Sequence, residues 1–164
     1  MRSAFRAGCA WSSLRGLDVK LGAAYLNDVD KQHCHGGCLC GGVRYRLTGK
    51  LRDVWACHCS QCRRTSGNFV AATACKTPQF ELIADKTLTW FASSPGAERG
   101  FCQTCGGNLF WRERGGTSIS VMAGTLDAPT GLRIGSHIFV GDKSDFYDIN
   151  DDAEKHIYWP GAAE

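Results

Sequence analysis

Three tight cysteine clusters constrain this chain more than any other feature. They are Cys38-Leu39-Cys40, Cys57-His58-Cys59-Ser60-Gln61-Cys62 and Cys102-Gln103-Thr104-Cys105, and together they hold seven of the ten cysteines. So many cysteines in a small chain mean disulfides in an oxidising compartment, and metal or redox chemistry in a reducing one. The spacing argues for metal. Cysteines one or two residues apart seldom bridge each other, and disulfide frameworks spread their half-cystines further along the chain. Seven is itself informative, because a structural zinc takes four protein ligands and a catalytic zinc takes three and keeps one position open. Cys38, Cys40, Cys102 and Cys105 supply two pairs far apart in sequence, the set expected to fasten distant loops. Each pair runs directly into Gly-Gly, where backbone N–H groups can approach the sulfurs without an intervening Cβ. Cys57, Cys59 and Cys62 form a compact trio with no fourth cysteine beside them. The expectation is therefore two zinc ions per chain, one caged and one open.

The trio has other ways to close. His58, His33, His35 or Cys34 could supply a fourth ligand and make a second structural site. His58 sits between two ligands and is expected to point away from the metal, while His33 and His35 lie outside the strand pattern. Cys9 and Cys75 stand alone. Cys75 ends an apolar run and reads as a small core residue.

The rest of the chain has the rhythm of short strands. Val43, Tyr45 and Leu47 alternate with Arg44, Arg46 and Thr48, the period-two pattern of a half-buried strand. Further strands are expected at 54–56, 69–74, 80–84, 88–92, 109–111, 118–123 and 136–140. Glycine pairs at 36–37, 41–42, 106–107 and 115–116 punctuate them. Only residues 60–66 read as helix, a single short turn. The acidic stretch from Asp142 to Glu154 reads as a solvated loop. At 164 residues, 43% hydrophobic and 21% charged, the chain suits one globular domain with a single core. The net charge of +3 is small and its Lys and Arg residues are scattered, so neither a nucleic-acid face nor a membrane patch is expected. No apolar run approaches the roughly 18 residues that a spanning helix needs. Residues 1–17 carry three arginines and no acid before Asp18, which fits a transit segment, a tail, or a start placed too far upstream. The division expected is an extension over 1–31, a zinc-binding domain over 32–155 and a tail over 156–164. The expected compartment is the cytoplasm, or the mitochondrion if residues 1–17 are a transit segment.

The cysteines stand in longer motifs: Gly37-Cys38-Leu39-Cys40-Gly41-Gly42-Val43-Arg44-Tyr45, Cys57-His58-Cys59-Ser60-Gln61-Cys62-Arg63-Arg64-Thr65-Ser66-Gly67, and Arg99-Gly100-Phe101-Cys102-Gln103-Thr104-Cys105-Gly106. Gly124-Thr125-Leu126-Asp127 and His137-Ile138-Phe139-Val140 follow. From about His35 to Asp152 the chain resembles the glutathione-dependent formaldehyde-activating enzyme family, whose domain is shared with centromere protein V. The resemblance implies a mainly β fold, a β-tent of short antiparallel sheets pinned by the four-cysteine zinc. It implies that Cys57, Cys59 and Cys62 hold the zinc tied to activity. The family activity is addition of glutathione's thiol to formaldehyde, giving S-(hydroxymethyl)glutathione, formally a carbon–sulfur lyase in reverse. Phe146 stands where relatives usually carry Trp, and residues 1–31 have no counterpart.

The chemistry of the residues agrees with a thiol substrate. An open zinc held by three thiolates is soft and accepts another sulfur, and it would deprotonate a thiol whose free pKa is about 8.5. Three thiolates also make the ion electron-rich and weaken it as a Lewis acid. Arg63 and Arg64, next to the trio in sequence, are the candidates to meet the two carboxylates of glutathione, the plainer reading being ordinary surface charge. Two rivals follow from the same residues. One is a non-catalytic zinc module for a protein or chromatin partner. The other is a thiol redox enzyme using Cys62 or Cys102, which zinc ligation would suppress.

Overall fold

The computed structural model describes residues 33–161. The extension expected over 1–31, Cys9 and the last three residues of the tail lie outside the described residues. A three-stranded sheet is built from β1 (His33–Gly37), β2 (Arg44–Thr48) and the later β5 (Phe80–Ala84), antiparallel in the order β1-β2-β5. The eight strands of the larger sheet are β3 (Val54–Cys57), β4 (Val70–Lys76), β6 (Leu88–Ser94), β7 (Ala97–Cys102), β8 (Asn108–Glu113), β9 (Ser118–Met122), β10 (Ile134–Ile138) and β11 (Glu154–His156). Their order is β11-β10-β3-β4-β9-β8-β7-β6, antiparallel except that β10 runs parallel to both β3 and β11. The fold is mainly β, with two open sheets. Among the described residues no helix is long and apolar enough to cross a membrane.

The alternation read from β2 is what builds the core. Tyr45 and Leu47 are fully buried, while Arg44 and Arg46 turn outward to Asp127 and Glu81. The inward residues meet Leu109 and Phe110 of β8 and Ile119 and Val121 of β9, so the core lies between the two sheets. Tyr45 sets its ring edge against Phe110 at 5.1 Å. Burying side chains of this size contributes roughly 1.5–3 kcal/mol apiece, and Cys75 packs among them as a small core residue.

The helical turn expected over 60–66 is α1 (Ser60–Ser66). So short a helix is not stable on its own, and both of its ends are capped. The Cys59 side chain accepts from the Cys62 N–H, and Gly67, with φ of 78°, donates its N–H to the Arg63 carbonyl. Three strands were not expected. In β1, His-Cys-His-Gly-Gly carries no apolar period. In β7, Gly100 interrupts the pattern, yet a Cβ there would come within 2.9 Å of Phe110. β11 begins at Glu154, where the segment read as solvated loop ends, and that segment is not merely a loop: Tyr147 and Asp151 reach back to buried histidines.

Candidate metal centres and the cleft beside them

Cys38 and Cys40 stand in the loop between β1 and β2, Cys102 ends β7, and Cys105 lies in the turn to β8. The four sulfurs lie within 4.8 Å of one another. Cys38 and Cys40 are 3.5 Å apart and Cys40 and Cys102 are 3.6 Å apart. Tetrahedral zinc with Zn–S bonds of about 2.3 Å separates its sulfurs by about 3.8 Å, so the donor set fits that ion. Gly41 and Gly106 adopt positive φ, 77° and 72°. The turn each makes brings the next amide, of Gly42 or Gly107, onto the sulfur of Cys40 or Cys105. Val43 N–H reaches Cys38 Sγ at 3.2 Å. The Thr87 hydroxyl, 3.1 Å from Cys102 Sγ, draws that thiol down to about 6. These donors favour the thiolate forms that a cation requires, although the neighbouring Cys38 and Cys102 thiols hold Cys40 itself up at about 12. The site ties a hairpin loop of the small sheet to one of the large sheet.

The trio is local. Cys57 ends β3, Cys59 caps α1 and Cys62 lies in its first turn, and their sulfurs also lie within 4.8 Å of one another. Hydrogen bonds from the Cys57 and Cys62 thiols, then from the Cys62 and Gln61 amides, draw the Cys59 thiol down to about 2. The same bond to Cys59 pushes the Cys57 thiol up. Charge is thus gathered on one sulfur of a converging set. Arg99 from β7 is 5% exposed, and its Nη2 donates to Cys62 Sγ at 3.6 Å. Its Nε is buried without a partner, and no carboxylate lies within ion-pair distance among the described residues. A buried guanidinium needs a counter-charge, and the acceptor it meets here is the sulfur of Cys62.

None of the alternative ligands reaches the trio. His58 points away, as expected, and is fully buried. Its Nδ1 lies 2.5 Å from the Tyr147 hydroxyl and its Nε2 lies 2.8 Å from His137 Nδ1. His137 Nε2 lies 3.0 Å from Asp151. One arrangement satisfies every group with both rings neutral: Tyr147 donates to His58, His58 donates to His137, and His137 donates to Asp151. Burial, with His137 and Lys143 nearby, lowers His58 to about 4. His33, Cys34 and His35 belong to β1 in the other sheet, where Cys34 packs on the main core.

A cleft of about 320 Å³ opens over the trio, walled by Trp55, Trp111, Phe139 and Trp159 and flanked by Arg52 and Arg99. Arg63 and Arg64 do not line it. They line a separate hollow of about 100 Å³ with Ser144 and Phe146, and Arg63 donates to the Ser144 hydroxyl at 3.1 Å. Helix α1 turns both arginines away from the ligands that precede them. The arginines facing the cleft come from elsewhere in the chain, and the sequence reading assigned no role to either. Arg99 had one signal, its place in the motif around Cys102. Trp159, beyond the boundary expected for the domain, packs on the cleft from the segment after β11.

A family model described as glutathione-dependent formaldehyde-activating enzyme matches residues 33–142. A relative in Schizosaccharomyces pombe, named an uncharacterized lyase, is 26% identical over 115 residues, covering 70% of this chain and 83% of that protein. The crystal structure of a Rhodobacter sphaeroides protein is 24% identical, with a TM-score of 0.49 over 59% of this chain and 91% of its own. By the family match, which spans both cysteine clusters, this chain belongs to the glutathione-dependent formaldehyde-activating enzyme family.

Proposed function

We propose that the chain is a zinc-dependent enzyme of carbon–sulfur lyase type that holds two zinc ions and joins a small thiol to an aldehyde. In the first instance the pair is glutathione and formaldehyde, giving S-(hydroxymethyl)glutathione. The observation that carries this reading is the unequal ligand count. One cluster converges four sulfurs, and the other converges three at the floor of a cleft, with no fourth protein ligand beside it among the described residues. Family membership and the lyase name of the yeast relative support the reaction class.

Zinc, when bound by Cys57, Cys59 and Cys62, supplies a soft Lewis acid that favours the ionised form of a thiol. The remaining work falls to the chain. Arg99 offsets the negative charge of three thiolates. The indole walls exclude water from the reacting atoms. The hydrogen bonds of His58 hold the Cys57–Cys59 backbone in place from behind, as partners of ligand-bearing segments do. In the reaction the thiol sulfur bonds to the carbonyl carbon. The π pair moves to oxygen, and that oxygen takes up the proton the thiol gives up.

Calorimetry with glutathione and its S-methyl analogue tests the reading directly. Glutathione should bind with release of about one proton per site near neutral pH, and the analogue much more weakly. Product appearance by NMR should exceed the spontaneous rate, and Cys59→Ala should lose the excess. Equal binding of both compounds with no excess rate would sink the enzyme reading and leave a zinc-structured binding module.

A further inference from the structure

The register of the large sheet sets three side chains of the cleft in one row. Arg99 on β7 stands opposite Trp111 on β8, and Trp111 stands opposite Ser120 on β9. Directly opposed residues share a face of a sheet, and all three line the cleft. The polar groups of the cleft differ in depth. Ser60, Gln61 and Asp142 are exposed at its rim, Ser120 is half-buried, and Arg99 is 5% exposed. Groups at the rim suit the polar body of a thiol such as glutathione. A cation on the floor faces the reacting end.

The protein uses only part of that cation. Nη2 of Arg99 donates to Cys62 Sγ at 3.6 Å. Nε is buried without a partner. Nη1 makes no hydrogen bond among the described residues and, unlike Nε, is not sealed from solvent. A buried donor left without an acceptor costs about 1–3 kcal/mol, so open donors here await an acceptor that arrives with a ligand. Nη1 and Nη2 form the end of one planar fork. An acceptor at Nη1 therefore stands next to the sulfur that Nη2 holds, among the thiolates where a thiol would react. The carboxylates of glutathione lie many bonds from its sulfur. The aldehyde oxygen, once the carbon–sulfur bond forms, is separated from the sulfur by a single carbon. It is the atom that fits.

We infer that Arg99 is a catalytic residue, donating from Nη1 to the aldehyde oxygen as charge develops there. This rests on the enzyme reading above and assigns a residue to its chemical step. The thiol sulfur bonds to the carbonyl carbon and the π pair moves to oxygen. Arg99 holds the resulting alkoxide until that oxygen takes up the proton the thiol released. The guanidinium keeps its own protons throughout. A donor fixed in advance, in a cleft walled by indoles, needs no reorganisation when the charge appears. The sheet register and the contact with Cys62 do the fixing.

The test uses the full-length, zinc-loaded chain, with zinc content checked by elemental analysis and folding by circular dichroism. Thioacetate carries sulfur and oxygen on one carbon, as the adduct does, and ethanethiol lacks the oxygen. Calorimetry should show tighter binding of thioacetate than of ethanethiol to the wild type. That advantage should shrink about tenfold in Arg99→Gln and recover in part in Arg99→Lys, which retains the charge without the fork. NMR of adduct formation from glutathione and formaldehyde should show kcat about a hundredfold lower in Arg99→Gln, the loss expected for an oxyanion donor. Glutathione affinity should fall by less than about tenfold. If thioacetate's advantage is the same in all three proteins, or kcat at saturating glutathione is unchanged, the proposal falls and the enzyme reading stands. If the wild type gives no rate above the spontaneous one, both fall. Arg99→Lys carries the same comparison should Arg99→Gln not fold.

Discussion

The two cysteine clusters use the same residue type and are built in opposite ways. Cys38 and Cys40 join Cys102 and Cys105 across 62 or more residues of chain and across two sheets, so a metal there closes a long loop and holds the sheets in register. Closing a loop in the unfolded chain is entropically costly, and the metal offsets that cost only in the folded state. Cys57, Cys59 and Cys62 sit in one strand-to-helix turn that carries its own caps. A metal there closes almost no loop, and the turn relies instead on a guanidinium from β7 in front and a histidine chain behind. On the function proposed above, sequence separation of the ligands, as much as their number, would divide the structural role from the chemical one.

The largest effect should come from breaking the first cluster. Cys102→Ala removes a fully buried ligand that fastens both sheets, and the chain should aggregate or lose its cooperative thermal transition. Cys59→Ala should drop the metal content from two zinc ions to one by elemental analysis, with a melting shift of only a few degrees. Equal collapse of both variants would show that the trio is structural too, and the comparison would fail.

Next in size is the guanidinium. Arg99→Met keeps much of the buried stem and removes the charge beside Cys62. Partners of this kind are worth about 10–100-fold in metal affinity. A competing chelator should therefore strip the trio that much more easily, while the four-cysteine site keeps its ion. Loss of both ions together would mean that Arg99 holds up the strand rather than the trio.

The histidine chain should matter less. His137→Phe leaves His58 and Asp151 without their partner, and a buried unsatisfied group costs about 1–3 kcal/mol. At about 2–4 °C per kcal/mol for a chain of this size, melting should fall by several degrees with both ions retained. An unchanged melting temperature would show that the chain of bonds contributes nothing.

How much of this was legible follows from what kind of pattern each feature makes. The β2 strand, the α1 turn and the two cysteine sets are local signals: an alternation, a capped heptamer and tight spacings. The resemblance to the family was carried by those same local strings. β7 was not legible because Gly100 looks like a break, when it is the space that Phe110 fills. β11 was hidden because three polar residues show no period. The cleft was illegible for a deeper reason. Trp55, Trp111 and Trp159 have nothing in common along the chain, and only the order of strands in the large sheet brings them together.

The arginines make the smallest and sharpest test of that distinction. Arg63 and Arg64 follow Cys62 directly, and adjacency made them the natural partners for a charged substrate. Helix α1 advances about 100° per residue, which is enough to carry the two residues after Cys62 away from the cleft and onto the hollow beside Ser144. Arg52, five residues before Cys57, and Arg99, 37 residues after Cys62, face the cleft. Arg64, exposed, should therefore tolerate Arg64→Ala with a stability change within about 0.5 kcal/mol and less than about a twofold change in thiol affinity on a scale where tenfold is 1.4 kcal/mol. Arg52→Ala should weaken thiol binding by several-fold, because it strips the cation from the Trp55 face. Side-by-side calorimetry of the two variants decides the matter. If Arg64→Ala weakens glutathione binding and Arg52→Ala does not, the substrate lies along the helix rather than in the cleft, and nearness in sequence was the better guide.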